Sequence, residues 1–140
     1  MYTGFIIAFV FIFIAGITNN ENADSLLAGY NTMSDEKKKN VDFKSIVQKL
    51  KQTMYTAAVL LIMVGLLNFV IDNQKIIVLA YLNITVIVCV YLLMSTQKFD
   101  TNHYSFWEKL LPQCIVVFLI LALIFGNCYI WITPLEELKL

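Results

Sequence analysis

No arginine occurs in this chain; its ten cationic side chains are all lysine. The guanidinium fork is what clamps phosphates and carboxylates in pairs of hydrogen bonds, so specific phosphate recognition lacks its usual tool. No basic face interleaved with aromatics appears either, which removes nucleic acid from the expected partners. Histidine occurs once, at His103, and reads as a surface residue rather than a catalyst. The three cysteines, Cys89, Cys114 and Cys128, form no CxxC pair and lie in apolar runs. They are expected to be buried, inert thiols rather than a metal or redox site. Charge itself is scarce: Asp, Glu and Lys make up 14% of the chain, against roughly 25% in soluble domains. No nucleophile–base pair, ligand cluster or paired carboxylate in a membrane-facing pocket is visible, so no enzyme, cofactor or metal is expected.

What is present is apolar. Hydrophobic residues reach 59% and mean hydropathy +0.73, with the charges confined to short stretches between long apolar runs. A spanning helix needs ~20 mainly apolar residues, and four segments qualify to different degrees: 1–18, 54–71, 76–94 and 113–132. The first is short, and no Lys or Arg precedes it as a secretory signal requires, so it reads as a retained helix. The second and third are joined only by Asp72-Asn73-Gln74-Lys75, a tight hairpin, and Thr133-Pro134 stops the fourth. The fold expected is one all-α, polytopic membrane domain over residues 1–140, with four transmembrane helices.

Lysine bias orients it. The loops 19–53 and 95–112 hold eight lysines, against Lys75 and Lys139 on the other side. The positive-inside rule makes both loops cytoplasmic and both termini external. Within the first loop, Leu26, Leu27, Tyr30 and Met33 recur at helical spacing over residues 24–33, an amphipathic helix at the membrane surface. Ser34 looks like a second N-cap, with Asp35 and Glu36 in the first turn. Asp42 caps the next helix, whose stripe is Phe43, Ile46, Val47, Leu50 and Met54 and which either bends or runs directly into the second span. Lys37, Lys38 and Lys39 either enforce topology as solvated charges or contact anionic lipid headgroups. In the second loop, Ser105 and Glu108 have capping-box spacing, and Tyr104, Phe106 and Trp107 suit an interfacial belt.

The stretch Leu26-Leu27-Ala28-Gly29-Tyr30-Asn31-Thr32-Met33-Ser34-Asp35-Glu36-Lys37-Lys38, with Asp42 after it, resembles a family of small bacterial membrane proteins catalogued as domain of unknown function 3784. The apolar layout agrees up to about Met94; Asn40-Val41 replaces the family's usual Lys-Tyr, and the fourth span is an extension. The resemblance implies a bacterial membrane protein and brings no catalytic residues; the membrane expected is the cytoplasmic one. Gly29, Tyr30, Asn31, Thr32 and Ser34 form a polar break between two helices, either structural capping or a contact surface for a partner.

Inside the spans the polar residues are amides. Asn68, Asn83 and Asn127 fall in the outer halves of three different helices, where they either hydrogen-bond between helices or line a small external pocket. Ala57, Ala58, Leu61, Gly65 and Asn68 share one face suited to close packing. No Asp, Glu, Lys, Arg or His lies within a span, which argues against ion-coupled transport, and the membrane-embedded glutamate of small multidrug exporters is missing. The function expected is non-enzymatic: a membrane-embedded interaction protein, either an accessory or regulatory subunit or immunity against a membrane-active toxin. Its partners are the lipid bilayer and another membrane or secreted protein. The alternative is a facilitator of a small neutral solute.

Overall fold

A chain this poor in charge has to satisfy its backbone internally, and it does so as helix. The computed structural model describes residues 2–19 and 28–134. Within them run α1 (Thr3–Ile17), the single-turn helices α2 (Ala28–Asn31) and α3 (Asp35–Lys38), and the long helices α4 (Phe43–Leu67), α5 (Gln74–Thr96) and α6 (Phe106–Ile132); a 3-10 turn, Gln97–Phe99, follows α5. The described residues hold no strand beyond one isolated antiparallel bridge, Val41 to Asp100. Helices α4, α5 and α6, of 25, 23 and 27 residues, are long and apolar enough to cross a membrane. Helix α1 is apolar but has 15 residues, a rise of ~22 Å. The protein is thus an all-helical membrane protein with three helices of spanning length and one shorter apolar helix.

Caps rather than hydropathy set the helix ends. Ser34 and Asp42 cap α3 and α4 as expected, accepting from the backbone N–H of Lys37 and Ser45. Helix α4 is continuous from Phe43, so the lysine-bearing stripe and the second span are one rod. It ends at Leu67 rather than at residue 71, the chain turning through 68–73. Asn73 then starts α5 two residues ahead of the apolar run by accepting from Lys75 N–H. The largest difference is at α6. Its capping box at Ser105 and Glu108 is complete, so the helix begins at Phe106 and residues 106–112, expected in a loop, are helical. Pro112 falls within it and has no N–H for the Glu108 carbonyl. Of the surface helix expected over 24–33, only the turn Ala28–Asn31 is seen; Leu26 and Leu27 lie outside the described residues. Tyr30 stacks on Phe43 with ring centroids 4.2 Å apart.

The helices pack through their smallest residues. Gly4, Ala8 and Ala15 of α1 and Ala57, Ala58, Leu61 and Gly65 of α4 are all buried, the α4 set being the face anticipated from its spacing. Gly65 lies against the Phe5 ring and Gly4 against Tyr81 of α5, so the start of α1 meets the end of α4 and the two run antiparallel. The core is Ala8, Ala58, Leu61, Ile77 and Tyr81, drawn from α1, α4 and α5. Helix α6 packs chiefly on α5 and buries no residue. The cysteines depart from expectation: all three are exposed. Seams made of Gly and Ala leave the bulkier side chains, thiols included, facing outward to the bilayer.

Gly4 and Gly16 make a matched pair. A Cβ at Gly4 would overlap Tyr81 Cε1, Cζ and Oη, whereas one at Gly16 meets nothing within 4 Å. Gly4→Ala should therefore destabilise the bundle by ~1–3 kcal/mol through overpacking, and Gly16→Ala should be neutral or stabilising by up to ~1 kcal/mol. Thermal unfolding of the two variants in detergent micelles reads the contrast; equal effects would contradict the seam.

Candidate functional site: an amide pair, a cavity and a loop clasp

Two of the three intramembrane amides meet. Asn83 Nδ2 donates to Asn127 Oδ1 at 2.7 Å, and Asn127 Nδ2 returns a longer bond to Asn83 Oδ1 at 3.4 Å. Each Nδ2 also donates to the carbonyl one turn back on its own helix, Leu79 and Leu123, both at 2.7 Å. Both donors of both amides are thereby used, so neither is left to a substrate. The pair fastens α6 to α5. Gly126, beside it, admits Leu82, whose Cδ2 lies 3.1 Å from where a Cβ would be. At the same end, Lys75 Nζ donates to the Trp131 carbonyl at 3.1 Å, closing the last turn of α6.

Asn68 does not join them. It caps the C-terminal end of α4 and lines an open cavity of about 610 Å³ between α1, α5 and α6. The polar lining is Thr3, Asn68, Gln74, Tyr81 and Thr85; Ile7, Ile77, Val78, Leu82 and Ile130 are among the apolar walls. Asn68 Oδ1 and Tyr81 Oη are both buried and, among the described residues, without a hydrogen-bond partner. Among the described residues, no charged side chain lines the space. Tyr81 escaped the sequence reading because a tyrosine in an apolar run looks like any interfacial aromatic. Its signal was Gly4, the one residue small enough to accept the ring.

At the opposite end the two loops clasp each other. Asp42 N–H donates to the Phe99 carbonyl at 2.8 Å, and the Thr101 N–H and hydroxyl both donate to the Asn40 carbonyl. Asn102 lies at the centre: its Nδ2 donates to the Lys37 carbonyl and to Asp100 Oδ1, both at 2.8 Å, and its Oδ1 accepts from Asn40 Nδ2 at 3.0 Å. Tyr104 donates to Asp100 Oδ2. Burial, and then the Asp100 carboxylate that its proton serves, push the Tyr104 hydroxyl up to about 12. Lys37 pairs with Glu108 at 3.0 Å and lies over the Tyr104 ring, while Lys38 lies over the Tyr30 ring. These residues are some sixty positions apart, and no periodicity links them. In the motif itself, Asn31, Thr32 and Ser34 are exposed and Tyr30 half-buried.

A family model described as "Domain of unknown function (DUF3784)" matches residues 5–100, more than half of the chain. No curated protein and no solved structure matches. The matched stretch carries α1 to α5, the cavity's Asn68 and Tyr81, and one side of the clasp. It stops before α6, so Asn127 and Glu108 lie beyond it.

Two measurements follow from this geometry. Asn83→Leu and Asn127→Leu should each destabilise the bundle by ~0.6–2 kcal/mol, and together by clearly less than their sum, because either change alone breaks the pair. Asn68→Leu should add independently to either; additivity within the pair would contradict the bond. At the clasp, the folded value of Tyr104 lies above the ordinary 10.0, so its contribution is complete at neutral pH and is lost only as pH climbs toward 12. The difference in phenolate absorbance between the wild type and Tyr104→Phe should therefore emerge only near that pH, and Asp100→Asn should move it down.

Proposed function

The chain belongs to the DUF3784 family, and we propose that it acts as a non-enzymatic, membrane-embedded interaction protein. The two forms that suit it are an accessory or regulatory subunit and immunity against a membrane-active toxin. The observation that carries this reading is the division of polar groups. The Asn83–Asn127 pair is spent on holding helices together, while the exposed Asn31, Thr32 and Ser34 stand beside a clasp that orders both loops. A surface held in this way suits a protein partner. The absence of Asp, Glu, Lys, Arg and His from the sequence of the spans speaks against ion coupling. A small neutral solute is the second reading, favoured by the uncharged polar residues Thr3, Asn68, Gln74 and Thr85 in the cavity lining.

The reading includes a four-span topology in a bacterial cytoplasmic membrane, with α1 crossing as the first span and both termini outside. Its support is that the start of α1, the 68–73 turn and the end of α6 share one end of the bundle, with the clasped loops at the other. Lys37, Lys38, Lys39, Lys98 and Lys109 gather at the clasp end, where Lys37, Lys38 and Lys39 also reach anionic headgroups. A cysteine introduced at Gln74 should react with an impermeant maleimide on intact cells, and one at Asn102 only after lysis. External labelling at Asn102 would invert the model. A photo-crosslinker at Asn31 or Thr32 should yield one discrete protein adduct, and purified protein in liposomes should pass no neutral solute. Flux that Asn68→Leu abolishes would favour the facilitator instead.

A further inference from the structure

We propose that the lipid-facing stripe at the start of α4 seats the headgroup of an anionic phospholipid. This seat deepens the headgroup contact proposed for the loop and rests on the same membrane placement, but none of its residues belongs to the loop. Lys44, Gln48, Gln52, Tyr55, Val59 and Met63 are all exposed and recur at steps of three and four residues, so they form one face of α4. That face is polar from Lys44 to Gln52 and apolar from Val59 onward, with Tyr55 between. Lys51, half-buried, lies along its edge two turns from Lys44. Helix α4 has 25 residues, a length of ~37 Å against ~30 Å of hydrocarbon. The excess lies at the start, where the polar residues are. A face that passes from cations and amides to aliphatic side chains has the polarity profile of a phospholipid laid along it.

Charge decides which headgroup. The sequence holds no Asp or Glu between Asp42 and Asp72, so Lys44, Lys49 and Lys51 share the first three turns of α4 with no acid. Asp42 is engaged by the Ser45 N–H and hydroxyl. The clasp carboxylates are engaged too, Asp100 by Asn102 and Tyr104 and Glu108 by Ser105 and Lys37. Lys49 lies over the Tyr91 ring of α5. Among the described residues, Lys44 and Lys51 have neither a salt bridge nor an aromatic ring. Lys44 also stands in the first turn, where the helix dipole disfavours a cation, so helix stability does not account for its place. Two ammonium groups beside two amides match a phosphodiester: the ammoniums meet its charge and the amide N–H groups donate to its oxygens. The loop run differs. Lys37 is paired with Glu108, Lys38 lies over Tyr30, and Asp35 and Glu36 precede both. It attracts headgroups without offering a defined seat.

The test is native mass spectrometry of the full chain in dodecyl maltoside at low salt. The protein is titrated separately with palmitoyl-oleoyl phosphatidylglycerol and palmitoyl-oleoyl phosphatidylcholine, which share their acyl chains and differ in head charge. Phosphatidylglycerol should form a first adduct that saturates at one per chain and binds roughly twentyfold more tightly than phosphatidylcholine. Lys44→Gln and Lys51→Gln should each weaken it about fivefold, and Lys44→Arg should keep what Lys44→Gln loses. Replacing Lys37, Lys38 and Lys39 together by Gln should leave the saturable adduct within about twofold of the wild type, because one site on α4 carries it. Free glycerol 3-phosphate should not compete, since it lacks the chains that lie along Val59 and Met63. Equal binding of the two lipids, an unchanged affinity in both α4 variants, or competition by glycerol 3-phosphate would overturn the proposal. A loss confined to the triple loop variant would overturn it as well, while leaving the headgroup contact of the loop standing. A loss confined to the α4 variants supports the seat whatever the loop does, so the two fail separately.

Discussion

Everything in this bundle depends on how closely α1 and α4 approach. Lipid tails are as apolar as leucine, so helices gain nothing from hiding apolar surface from them; contact has to come from packing. Small buried residues on both helices, Gly4, Ala8 and Ala15 on α1 and Ala57, Ala58 and Gly65 on α4, let two backbones come near enough for many weak dispersion contacts to accumulate. Phe5 and Tyr81 fill the places left by Gly65 and Gly4. The seam also fixes direction: once Gly4 receives Tyr81, α1 is antiparallel to α4 and its start lies beside the hairpin turn. The cavity and its orphaned hydroxyl are consequences of that placement.

Helix α6 is held by a different means. It contributes nothing to the buried core, and its attachment to α5 is made of a few specific contacts: the reciprocal amides, Leu82 over Gly126, and Lys75 on the last turn. At its other end the Lys37–Glu108 pair is exposed to solvent, and screening there leaves it weak. The capping box that Glu108 shares with Ser105 matters more to the helix start. A helix attached through hydrogen bonds in hydrocarbon is specified in register more than it is stabilised. That agrees with its position beyond the stretch the family model matches.

The sequence was informative wherever a local rule decides the outcome. Ser34, Asp42, the Ser105–Glu108 box and the Thr133-Pro134 stop were all readable, because capping is a matter of a few adjacent residues. The small face of α4 was readable too, since Ala57, Leu61 and Gly65 recur at the helical period. Span boundaries were less so: hydropathy placed the last span at 113, whereas a cap at Ser105 carries the helix through polar Glu108, Lys109 and Gln113. The clasp was not legible at all, because Asn40 and Asn102 meet only once α4 and α5 have folded back on each other. The amides were half legible. All three lie in the outer halves of their helices, where they were expected either to bond between helices or to line a pocket; α4 stops at Leu67, which leaves Asn68 in a cap beside the cavity and away from the α6 seam.

Helix α5 joins these features. It lies between α4 and α6, provides one amide of the pair, and supplies most of the cavity wall through Gln74, Ile77, Tyr81 and Thr85. Both its ends are fixed: Asn73 caps the first turn, and the Phe99 carbonyl just beyond its last residue accepts from Asp42 N–H at the clasp. A rod held at both ends does not slide easily past its neighbours. Change in the cavity is more readily taken up by α1, which has no ionic contact and touches α5 through the glycine that accepts Tyr81. The Tyr81 ring lies against Gly4 and is also part of the cavity wall. The cavity wall and the contact that seats α1 on α5 therefore share one side chain.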